Sequence, residues 1–339
     1  TGSDGKTTTT TIISELLKAQ GYTVHLGGNI GRPLLCDVDD MGKDDAAVLE
    51  LSSFQLHSMV CKPNVAVITN VSPNHLDKHK DYQDYIAAKS SIFYYQDEHD
   101  RLVLNHENEF TPYYAEKAKS DIAYFSRTVK PENGVYCAGG MIYRVHGGKA
   151  ELIMSTDDIK LPGTHNLENY MAAFAATDGY VDDNTCIAVA KSFAGVEHRL
   201  EQVRVLNGVT YINDSIGTSP TRTAAGLHAL KTKPILIAGG YDKNIPFDEL
   251  GNEICLHVKK LYLTGATTEK IYDAVINSKY YDGKLPIEKI YDFKETVLAA
   301  ANAAQYGDIV LLSPACAAFD KFKNFMERGK YFKQIVMEL

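Results

Sequence analysis

The chain has 339 residues, of which 45% are apolar and 23% are charged, a balance typical of a globular protein with a substantial core. Its length allows about two domains, and its formal net charge of −8 argues against nonspecific nucleic-acid binding, because no overall positive field attracts a phosphate backbone. The sequence has no apolar run of the ~20 residues that a membrane span needs, and its six cysteines lack CxxC spacing, so it predicts a cytoplasmic protein with reduced thiols.

The chain begins with TGSDGKTTTT, which contains the core of a phosphate-binding loop. Gly2 and Gly5 let the backbone curl around phosphate oxygens, Lys6 would neutralise the β- and γ-phosphates, and the Thr7 hydroxyl is a ligand for Mg²⁺. The helix predicted to follow directs its positive end toward the same anion. A glycine turn capping an ordinary helix is the alternative. Because the strand that normally precedes such a loop is missing, we expect the chain to be a fragment.

Short apolar runs and helical stretches alternate after the loop. The runs YTVHL, AAVLEL, NVAVITN and RLVLN are typical of strands buried on both faces of a parallel sheet, whereas DYQDYIAAKSSIFYY has the pattern of a helix. Glycine-punctuated segments between residues 120 and 160 predict hairpins, and NLENYMAAFAATDGY and DDNTCIAVAKSF predict two closing helices. The alternation predicts an α/β domain with a central, mostly parallel sheet.

A second domain is predicted to begin near residue 195. Two alternating strands flank Asn207-Gly208, the strongest short-range signal for a hairpin turn. Strand and helix then alternate again through PILIAGG, LGNEICLHVKK, LYLTG, EKIYDAVINS, ETVLAAANAAQ and DIVLLSPA to a final helix. This pattern predicts a Rossmann-like α/β sheet over residues 196–339, after a phosphate-loop domain over residues 1–195.

Ten stretches carry a resemblance to a known family, and in chain order they are TGSDGKTTT, GGNIGRPLL, LELSSFQL, TNVSPNHLDKH, YIAAKSSIF, LPGTHNLENYMAA, EHRLE, NDSIGTSPTRT, AGGYDKN and LSPACAAFDKFKNFMERG. They follow one another along essentially the whole chain, which resembles the Mur ligase family, and the last four are most similar to its D-glutamate-adding branch. The resemblance implies a central ATPase domain and a C-terminal amino-acid-binding domain, without the N-terminal domain that holds the UDP group in this family.

The reaction that the resemblance implies is an ATP-dependent amide synthesis for peptidoglycan precursors. ATP phosphorylates the carboxylate of UDP-N-acetylmuramoyl-L-alanine, and the amine of D-glutamate attacks the acyl phosphate. A carboxylate is a poor electrophile until one oxygen becomes a phosphate leaving group, so positioning and charge neutralisation do most of the work. We expect ATP and Mg²⁺ as cofactors and a monomer with small-molecule substrates, without nucleic-acid or membrane partners.

Three alternatives stay open at this point. The chain could be a sibling Mur ligase, a folylpolyglutamate synthase, or a nucleotide-binding fragment without ligase activity. The third follows from the missing UDP-binding domain, because binding energy from remote parts of a substrate also supports turnover. We therefore expect the chain alone to bind ATP or ADP and to ligate little.

The resemblance also assigns site residues in the first domain. ATP contacts fall on Gly2, Ser3, Asp4, Gly5, Lys6, Thr7 and Thr8 of the loop and, near the adenine, on Asn166 and Asn169. Glu50 and His75 match ligands of two Mg²⁺ ions, and Lys89 matches a carbamylated lysine that supports the second ion, so that Lys6, Glu50, His75 and Lys89 form the catalytic set. Asn29 matches a contact to the muramoyl substrate or the transferred phosphate. Solvated loop or helix residues, turn chemistry at Asn29 and a helix cap at Asn166 are the ordinary alternatives.

In the C-terminal domain, Arg199 matches a contact to the γ-phosphate and Asp214 a contact near the ribose. Thr218, Lys243 and Phe325 match positions around D-glutamate, where a lysine pairs well with a carboxylate. The chain departs from the family twice. Ile216 replaces a common lysine, as in a recurring variant of the branch, and Ala318 replaces a serine that contacts D-glutamate. A lost hydrogen bond to a charged group costs roughly 1.5–3 kcal/mol, so we expect weaker D-glutamate affinity.

Overall fold

The computed structural model describes residues 1–30, 34–72, 80–161 and 163–339. The chain forms two compact units, Thr1–Ala194, here called unit 1, and Gly195–Leu339, here called unit 2. Each unit has its own sheets and its own hydrophobic core. Within the described residues, no helix has both the length and the apolar character that crossing a membrane would require.

Unit 1 alternates strands and helices. Its helices are α1 (Lys6–Gln20), α2 (Ser53–Ser58), α3 (Tyr82–Ser90), α4 (Thr111–Lys117), α5 (Thr164–Ala176) and α6 (Asp183–Ser192). Its strands are β1 (Val24–Gly28), β2 (Ala46–Glu50), β3 (Val65–Ile68), β4 (Arg101–Asn105), β5 (Asp121–Ser126), β6 (Gly134–Ala138), β7 (Met141–His146) and β8 (Lys149–Ser155).

The strands of unit 1 form a parallel β1-β2 pair and a six-stranded sheet in the order β3-β4-β5-β6-β7-β8. Pairing is parallel from β3 to β6 and antiparallel from β6 to β8, which confirms a mostly parallel sheet that carries hairpins. Helix α5 packs on α1 and on strands of the larger sheet. It is buried continuously from Asn169 to Ala176, as expected for a helix enclosed between layers.

One predicted helix is shorter than the sequence indicates. The stretch DYQDYIAAKSSIFYY was expected to be helical throughout, but α3 ends at Ser90. The following N–H groups of Ser91, Ile92 and Phe93 bond to carbonyls three residues back, which tightens the chain into turns. Both Ile92 and Phe93 are buried there against the α4 side of the sheet. Tertiary packing of two adjacent apolar residues therefore overrides the helical pattern.

Unit 2 contains a second alternating series. Its helices are α7 (Pro220–Ala229), α8 (Asp248–His257), α9 (Thr268–Ile276), α10 (Phe293–Ala303) and α11 (Phe325–Glu338). Its strands are β9 (Glu201–Leu206), β10 (Val209–Asn213), β11 (Ile235–Ala238), β12 (Lys260–Leu263), β13 (Ile287–Lys289) and β14 (Ile309–Leu312).

The sheet of unit 2 has the order β13-β12-β11-β14-β10-β9, parallel except for the edge strand β9. The predicted hairpin turn is present, with positive φ angles of 51° at Asn207 and 77° at Gly208. The run β13-β12-β11-β14 has the 3-2-1-4 order of a Rossmann half, which places a topological switch between β11 and β14. Loops that leave the carboxyl ends of β10 and β11 carry the candidate residues Asp214, Thr218 and Lys243, whereas Arg199 precedes β9 and Phe325 begins α11.

Candidate functional site

The first residues of the chain run beside the carboxyl end of β3. The amine of Thr1 donates to the Val67 carbonyl (2.9 Å), and the Thr69 amide donates to the Thr1 carbonyl (3.0 Å). The Ser3 amide continues this pairing with the Asn70 carbonyl (2.9 Å). The chain then turns into α1, so the loop joins a strand-like segment to a helix amino terminus. This is the local geometry that a phosphate-binding loop requires.

Two glycines of the loop are close to neighbouring side chains. A Cβ at Gly2 would lie 1.9 Å from Thr69 Oγ1, and one at Gly5 would lie 2.3 Å from Asn169 Oδ1. Their φ angles are 151° and 75°, a region that favours glycine. Both positions therefore exclude a side chain.

Two lysines converge on one carbonyl of this loop. Lys6 Nζ donates to the carbonyls of Gly2 (2.9 Å) and Ser3 (2.8 Å), and Lys89 Nζ donates to the same Gly2 carbonyl (3.0 Å). Burial lowers the pKa of Lys89 to about 7, with a further lowering from the charge of Lys6. Two ammonium groups beside the amino terminus of a helix form a place where an anion is strongly favoured.

Besides Lys89, helix α3 brings Tyr85 to the loop, a residue that the sequence analysis did not single out. Tyr85 lies one helical turn before Lys89, and its hydroxyl is 2.9 Å from Ser3 Oγ. Ser3 Oγ also donates to the Ser72 carbonyl (3.1 Å), and the Lys89 ammonium lies 4.4 Å from the centre of the Tyr85 ring. The only sequence signal for Tyr85 was its spacing of four residues from Lys89.

Glu50 is the last residue of β2 and is 2% exposed. Its Oε1 accepts a hydrogen bond from Asn29 Nδ2 (2.7 Å), and the Asn29 amide donates to the Glu50 carbonyl (2.7 Å). No described residue donates a hydrogen bond to the buried Oε2. A buried carboxylate oxygen without a partner is costly unless a cation or another donor satisfies it, so Glu50 fits the role of a metal ligand.

The amino-terminal part of α5 lies against the start of α1. Thr9 Oγ1 donates to Asn169 Oδ1 (3.1 Å), and Asn169 Nδ2 donates to Asn166 Oδ1 (3.3 Å). Both asparagines are buried, with 6% and 8% exposure respectively. The structure thus brings the two residues predicted near the adenine into one hydrogen-bonded group with the loop helix.

The remaining predicted residues of unit 1 are placed as follows. Thr7 and Thr8 are buried in the first turn of α1, whereas Asp4 is exposed and its amide bonds to Asn70 Oδ1 (2.8 Å). His75, predicted as a ligand of a second Mg²⁺ ion, lies outside the described residues.

In unit 2, Asp214 follows β10 and is 4% exposed. Its two carboxylate oxygens accept hydrogen bonds from the Leu200 amide (3.2 Å) and from Ser313 Oγ (2.6 Å). Burial raises the pKa of Asp214 to about 6, although the Ser313 hydrogen bond and the Arg199 charge oppose that rise. The hydrogen bond from Ser313 joins the loops after β10 and β14, so Asp214 stabilises the inside of unit 2. Its contact with a ribose stays a prediction.

Arg199 is exposed between two residues with unusual backbone angles. His198 and Leu200 have φ values of 65° and 42°, in the left-handed region that non-glycine residues rarely occupy. His198 is 3% exposed and its Nδ1 lies 2.9 Å from Asn213 Nδ2, which anchors the strained segment. Arg199 is therefore carried at the surface of unit 2 by an anchored backbone segment.

The residues predicted around D-glutamate are only partly gathered. Lys243 Nζ donates to the Thr218 carbonyl (3.2 Å), which joins the loops after β10 and β11. Desolvation lowers the pKa of Lys243, and the charge of nearby Arg222 lowers it further. A cationic corner of this kind suits a carboxylate. Phe325 instead packs edge-on against the ring of His198, with the ring centres 5.9 Å apart.

Arg328 on α11 is a buried residue of this unit that the sequence analysis missed. Its guanidinium donates to the carbonyls of Ser215 (2.9 Å), Cys316 (3.0 Å) and Ala317 (3.1 Å), and to Ser215 Oγ (3.0 Å). It therefore holds the loop after β14, including the buried Ala318, against the loop after β10. A sequence signal existed, because an arginine on the same helical face as buried Phe332 and Ile335 is out of place unless it is paired.

The fold and the loop define an α/β protein of the P-loop class with a Rossmann-like second unit. Residues 1–177 match the model of the Mur ligase middle domain, and residues 198–316 match that of the Mur ligase, glutamate ligase domain. The chain belongs to the Mur ligase family.

Its curated relatives are more specific than the family. The chain is 52% identical over 339 residues to a UDP-N-acetylmuramoylalanine–D-glutamate ligase of Acetivibrio thermocellus, with 99% of this chain and 73% of the relative covered. It is 50% identical to the protein of the same name from Clostridium beijerinckii, with 100% and 73% covered.

Solved structures of the family share the fold at low identity. A MurF ligase from Thermotoga maritima in complex with ADP has a TM-score of 0.62 at 18% identity, with 99% of this chain and 79% of that chain covered. A MurF from Acinetobacter baumannii has a TM-score of 0.66 at 16% identity, with 100% and 76% covered. At these identities the likeness shows the fold alone.

Proposed function

We propose that this protein is an ATP-dependent ligase that joins D-glutamate to UDP-N-acetylmuramoyl-L-alanine through an acyl phosphate, a step of peptidoglycan precursor synthesis. The observation that supports the proposal best is the convergence of Lys6 and Lys89 on the Gly2 carbonyl at the start of α1. These two lysines lie in a chain that is 52% and 50% identical to two UDP-N-acetylmuramoylalanine–D-glutamate ligases. The alternatives of a sibling ligase or a folylpolyglutamate synthase have no comparable support.

The loop of unit 1 binds the triphosphate in this proposal. Backbone amides at the start of α1 and the Lys6 ammonium contact phosphate oxygens, so Lys6 exchanges two neutral carbonyls for charged acceptors. Thr7 and Glu50 would hold Mg²⁺, and Glu50 Oε2 is the oxygen still without a hydrogen bond from the described residues. Bound Mg²⁺ supplies charge neutralisation on the phosphoryl group. Asn29 keeps the Glu50 carboxylate oriented through Oε1.

Lys89 has a chemical property that its predicted modification requires. With its pKa lowered to about 7, a substantial fraction of the amine is neutral at neutral pH. A neutral amine nitrogen can form a bond to the carbon of CO₂ as one C=O π bond breaks and its electron pair moves to oxygen, and the proton lost from nitrogen goes to water. The product is a carbamate, whose negative charge replaces the positive charge of the ammonium. We assign Lys89 this carbamate, as a support for a second Mg²⁺.

Unit 2 supplies the amino-acid site in this proposal. Lys243, with Arg222 nearby, pairs with a carboxylate of D-glutamate beside Thr218, and the role of Phe325 in this site stays a prediction. The neutral amine of D-glutamate forms a bond to the acyl carbon, and the bond from that carbon to the phosphate oxygen breaks. Inorganic phosphate leaves with the bonding electron pair, and the amine loses a proton. The contact of Arg199 with the γ-phosphate, which the resemblance implies, stays a prediction.

Titration calorimetry with the whole chain tests the amino-acid assignment. D-Glutamate is titrated into protein saturated with Mg²⁺ and a non-hydrolysable ATP analogue, and compared with L-glutamate, D-alanine and diaminopimelate. We expect D-glutamate to bind best and Lys243→Ala to weaken it, whereas Lys279→Ala, an exposed lysine of the same unit, has no effect. Phosphate release with UDP-N-acetylmuramoyl-L-alanine is expected to stay low, because the chain alone is predicted to ligate little. Equal binding of diaminopimelate, or no binding of the ATP analogue, would refute the proposal.

A further inference from the structure

A group of three potential metal ligands lies on unit 2 among residues that the proposed ligase chemistry does not use. His228 Nε2 is 2.7 Å and His257 Nε2 is 3.4 Å from the same atom, Glu253 Oε2. One ligand atom from each residue lies within 4.8 Å of the other two. The two imidazole rings are 4.7 Å apart between centres.

Helix geometry explains why these side chains meet. Glu253 and His257 are four residues apart on α8 and therefore lie on one face of that helix. His228 is in the last turn of α7, which packs on α8. His257 is also in the last turn of its helix, so two helix carboxyl termini converge here. Their partial negative charges favour a cation at this position.

The Glu253 carboxylate is not satisfied by these contacts. Its Oε2 is buried and accepts no well-directed hydrogen bond from a described residue, although two imidazole nitrogens are close to it. A buried acceptor surrounded by nitrogen atoms at the wrong angle is better satisfied by an ion placed among the three ligand atoms. The side chains of His228, His257 and Glu253 are 56%, 38% and 28% exposed, so an ion can enter from solvent.

We propose that His228, Glu253 and His257 form a binding site for a divalent transition-metal ion of the Zn²⁺ class. Two imidazoles and one carboxylate are a ligand set that such ions prefer, with a water molecule in the fourth position of a tetrahedron. Ligand atoms at about 2.0–2.2 Å from a tetrahedral ion are themselves roughly 3.3 Å apart, which small side-chain rotations provide here. Mg²⁺ prefers oxygen ligands, so this site is chemically distinct from the one proposed at Glu50.

An ion at this site would join two helices that start next to the proposed amino-acid site. The loop that holds Thr218 leads into α7, and the loop that holds Lys243 leads into α8. A bond between the carboxyl-terminal parts of these helices fixes one relative to the other within unit 2. The site therefore acts as a structural clamp, and its occupancy adds to the stability of the folded unit.

The test is a calorimetric titration of the whole chain with Zn²⁺ in a large excess of Mg²⁺, which keeps oxygen-rich sites occupied by the harder ion. We expect one equivalent of Zn²⁺ to bind. His228→Gln and His257→Gln should each weaken this binding by at least roughly tenfold. Removing a residue that only hydrogen-bonds to a metal ligand already lowers metal affinity by about that factor, and removing a ligand should cost no less. His99→Gln removes an exposed histidine of unit 1 and should leave the affinity unchanged.

Two further measurements protect the test against a folding defect. Co²⁺ bound in place of Zn²⁺ should give the visible absorption of a tetrahedral site, and that absorption should disappear in Glu253→Gln, which keeps the side-chain shape. Zn²⁺ should also raise the thermal unfolding midpoint of the wild type but not of His228→Gln. The proposal is overturned if the wild type binds no Zn²⁺, or if all three ligand variants bind it as the wild type does.

Discussion

Buried ionisable side chains mark both candidate sites at the scale of single residues. Lys89 and Glu50 in unit 1, and Asp214 and Arg328 in unit 2, are each 4% exposed or less. Burying a charge is costly unless specific partners compensate for it, and each of these residues has such partners or a cation site nearby. Such residues therefore mark the parts of the fold that form the candidate sites or hold the loops beside them.

Lys6 gives the most direct prediction for the loop. Replacement by alanine removes the ammonium that contacts Gly2 and Ser3, and we expect the affinity for ATP to fall at least about tenfold, because a hydrogen bond to a charged group contributes roughly 1.5–3 kcal/mol. Lys18→Ala is the matched control, because this exposed lysine lies on the same helix and pairs only with Glu15 among described residues. Fluorescence-detected nucleotide titration measures the ATP affinity of both variants. Equal affinities would show that Lys6 does not contact the nucleotide.

Asp214 predicts a particular pH dependence of stability. Its folded-state pKa of about 6 lies above the ordinary value of 3.8, so the folded state holds the proton more tightly than the unfolded state. Its favourable contribution is complete below pH about 4 and is lost as pH rises to about 6. The stability of Asp214→Asn relative to wild type should therefore increase by about 3 kcal/mol between these pH values and then level off.

Urea unfolding at a series of pH values measures this difference. Asp273→Asn, which changes an exposed aspartate on α9 of the same unit, is the control and should show no comparable trend. A difference between Asp214→Asn and wild type that stays flat from pH 4 to pH 7 would show that the buried carboxylate is compensated in the folded state.

At the scale of elements, the glycines at the two ends of α1 allow the effect of backbone strain to be distinguished from the effect of a contact at the candidate site. Gly5 and Gly21 have φ values of 75° and 107°, so alanine is strained at both and should cost roughly 1 kcal/mol of stability at each. Only at Gly5 would the new Cβ meet another residue, Asn169, whereas nothing lies within 4 Å at Gly21. We expect Gly5→Ala to weaken ATP binding at least about tenfold and Gly21→Ala to leave it unchanged.

The ATP affinities of these two variants, measured with their unfolding free energies, decide the matter. If both variants lose stability equally and both keep full affinity, the contact between the loop and α5 has no role in nucleotide binding.

Helix α11 supports a second prediction at this scale. Arg328→Met leaves the carbonyls of Ser215 and Cys316 without their donor, so we expect a loss of at least about 3 kcal/mol from the stability of unit 2. Arg204→Met removes two contacts to carbonyls at the other end of α11, but this arginine is partly exposed and water can replace it. We expect it to cost about 1 kcal/mol. Chemical denaturation compares the two variants, and similar losses would contradict the role of Arg328 in holding the loops after β10 and β14 together.

The sequence predicts those features that depend on neighbouring residues. Strand and helix alternation, the turn at Asn207-Gly208 and the start of α1 after Gly5 all follow from local spacing and backbone preference. The contact of Asn169 with Gly5 could not be predicted in this way, because it joins residues far apart in the chain and depends on how α5 packs on α1. The same holds for Arg328, whose partners lie in two distant loops.

At the scale of the whole molecule, each unit has the means to fold by itself. Unit 2 buries one apolar cluster under α7, α8 and α9 and another under α10 and α11, on opposite faces of its sheet. Helix α11 returns from the end of the chain to pack on β9 and β10, the first strands of the unit. This closure of early and late elements is typical of an independent domain.

We therefore expect a protein of residues 195–339 alone to unfold in a single cooperative transition in urea, followed by circular dichroism. A protein of residues 231–339 is the matched control, because it lacks β9, β10 and α7 but keeps the other elements of the unit. Without β10, one edge of β14 is unpaired, and Phe332 and Val336 on α11 lose the strand residues that cover them. Too little apolar surface then remains buried to offset the entropy of the unfolded chain. The shorter protein should show no cooperative transition. If residues 195–339 also unfold gradually, the stability of unit 2 depends on the rest of the chain. The loss expected for Arg328→Met and the relative gain expected for Asp214→Asn must then be measured as properties of the whole molecule.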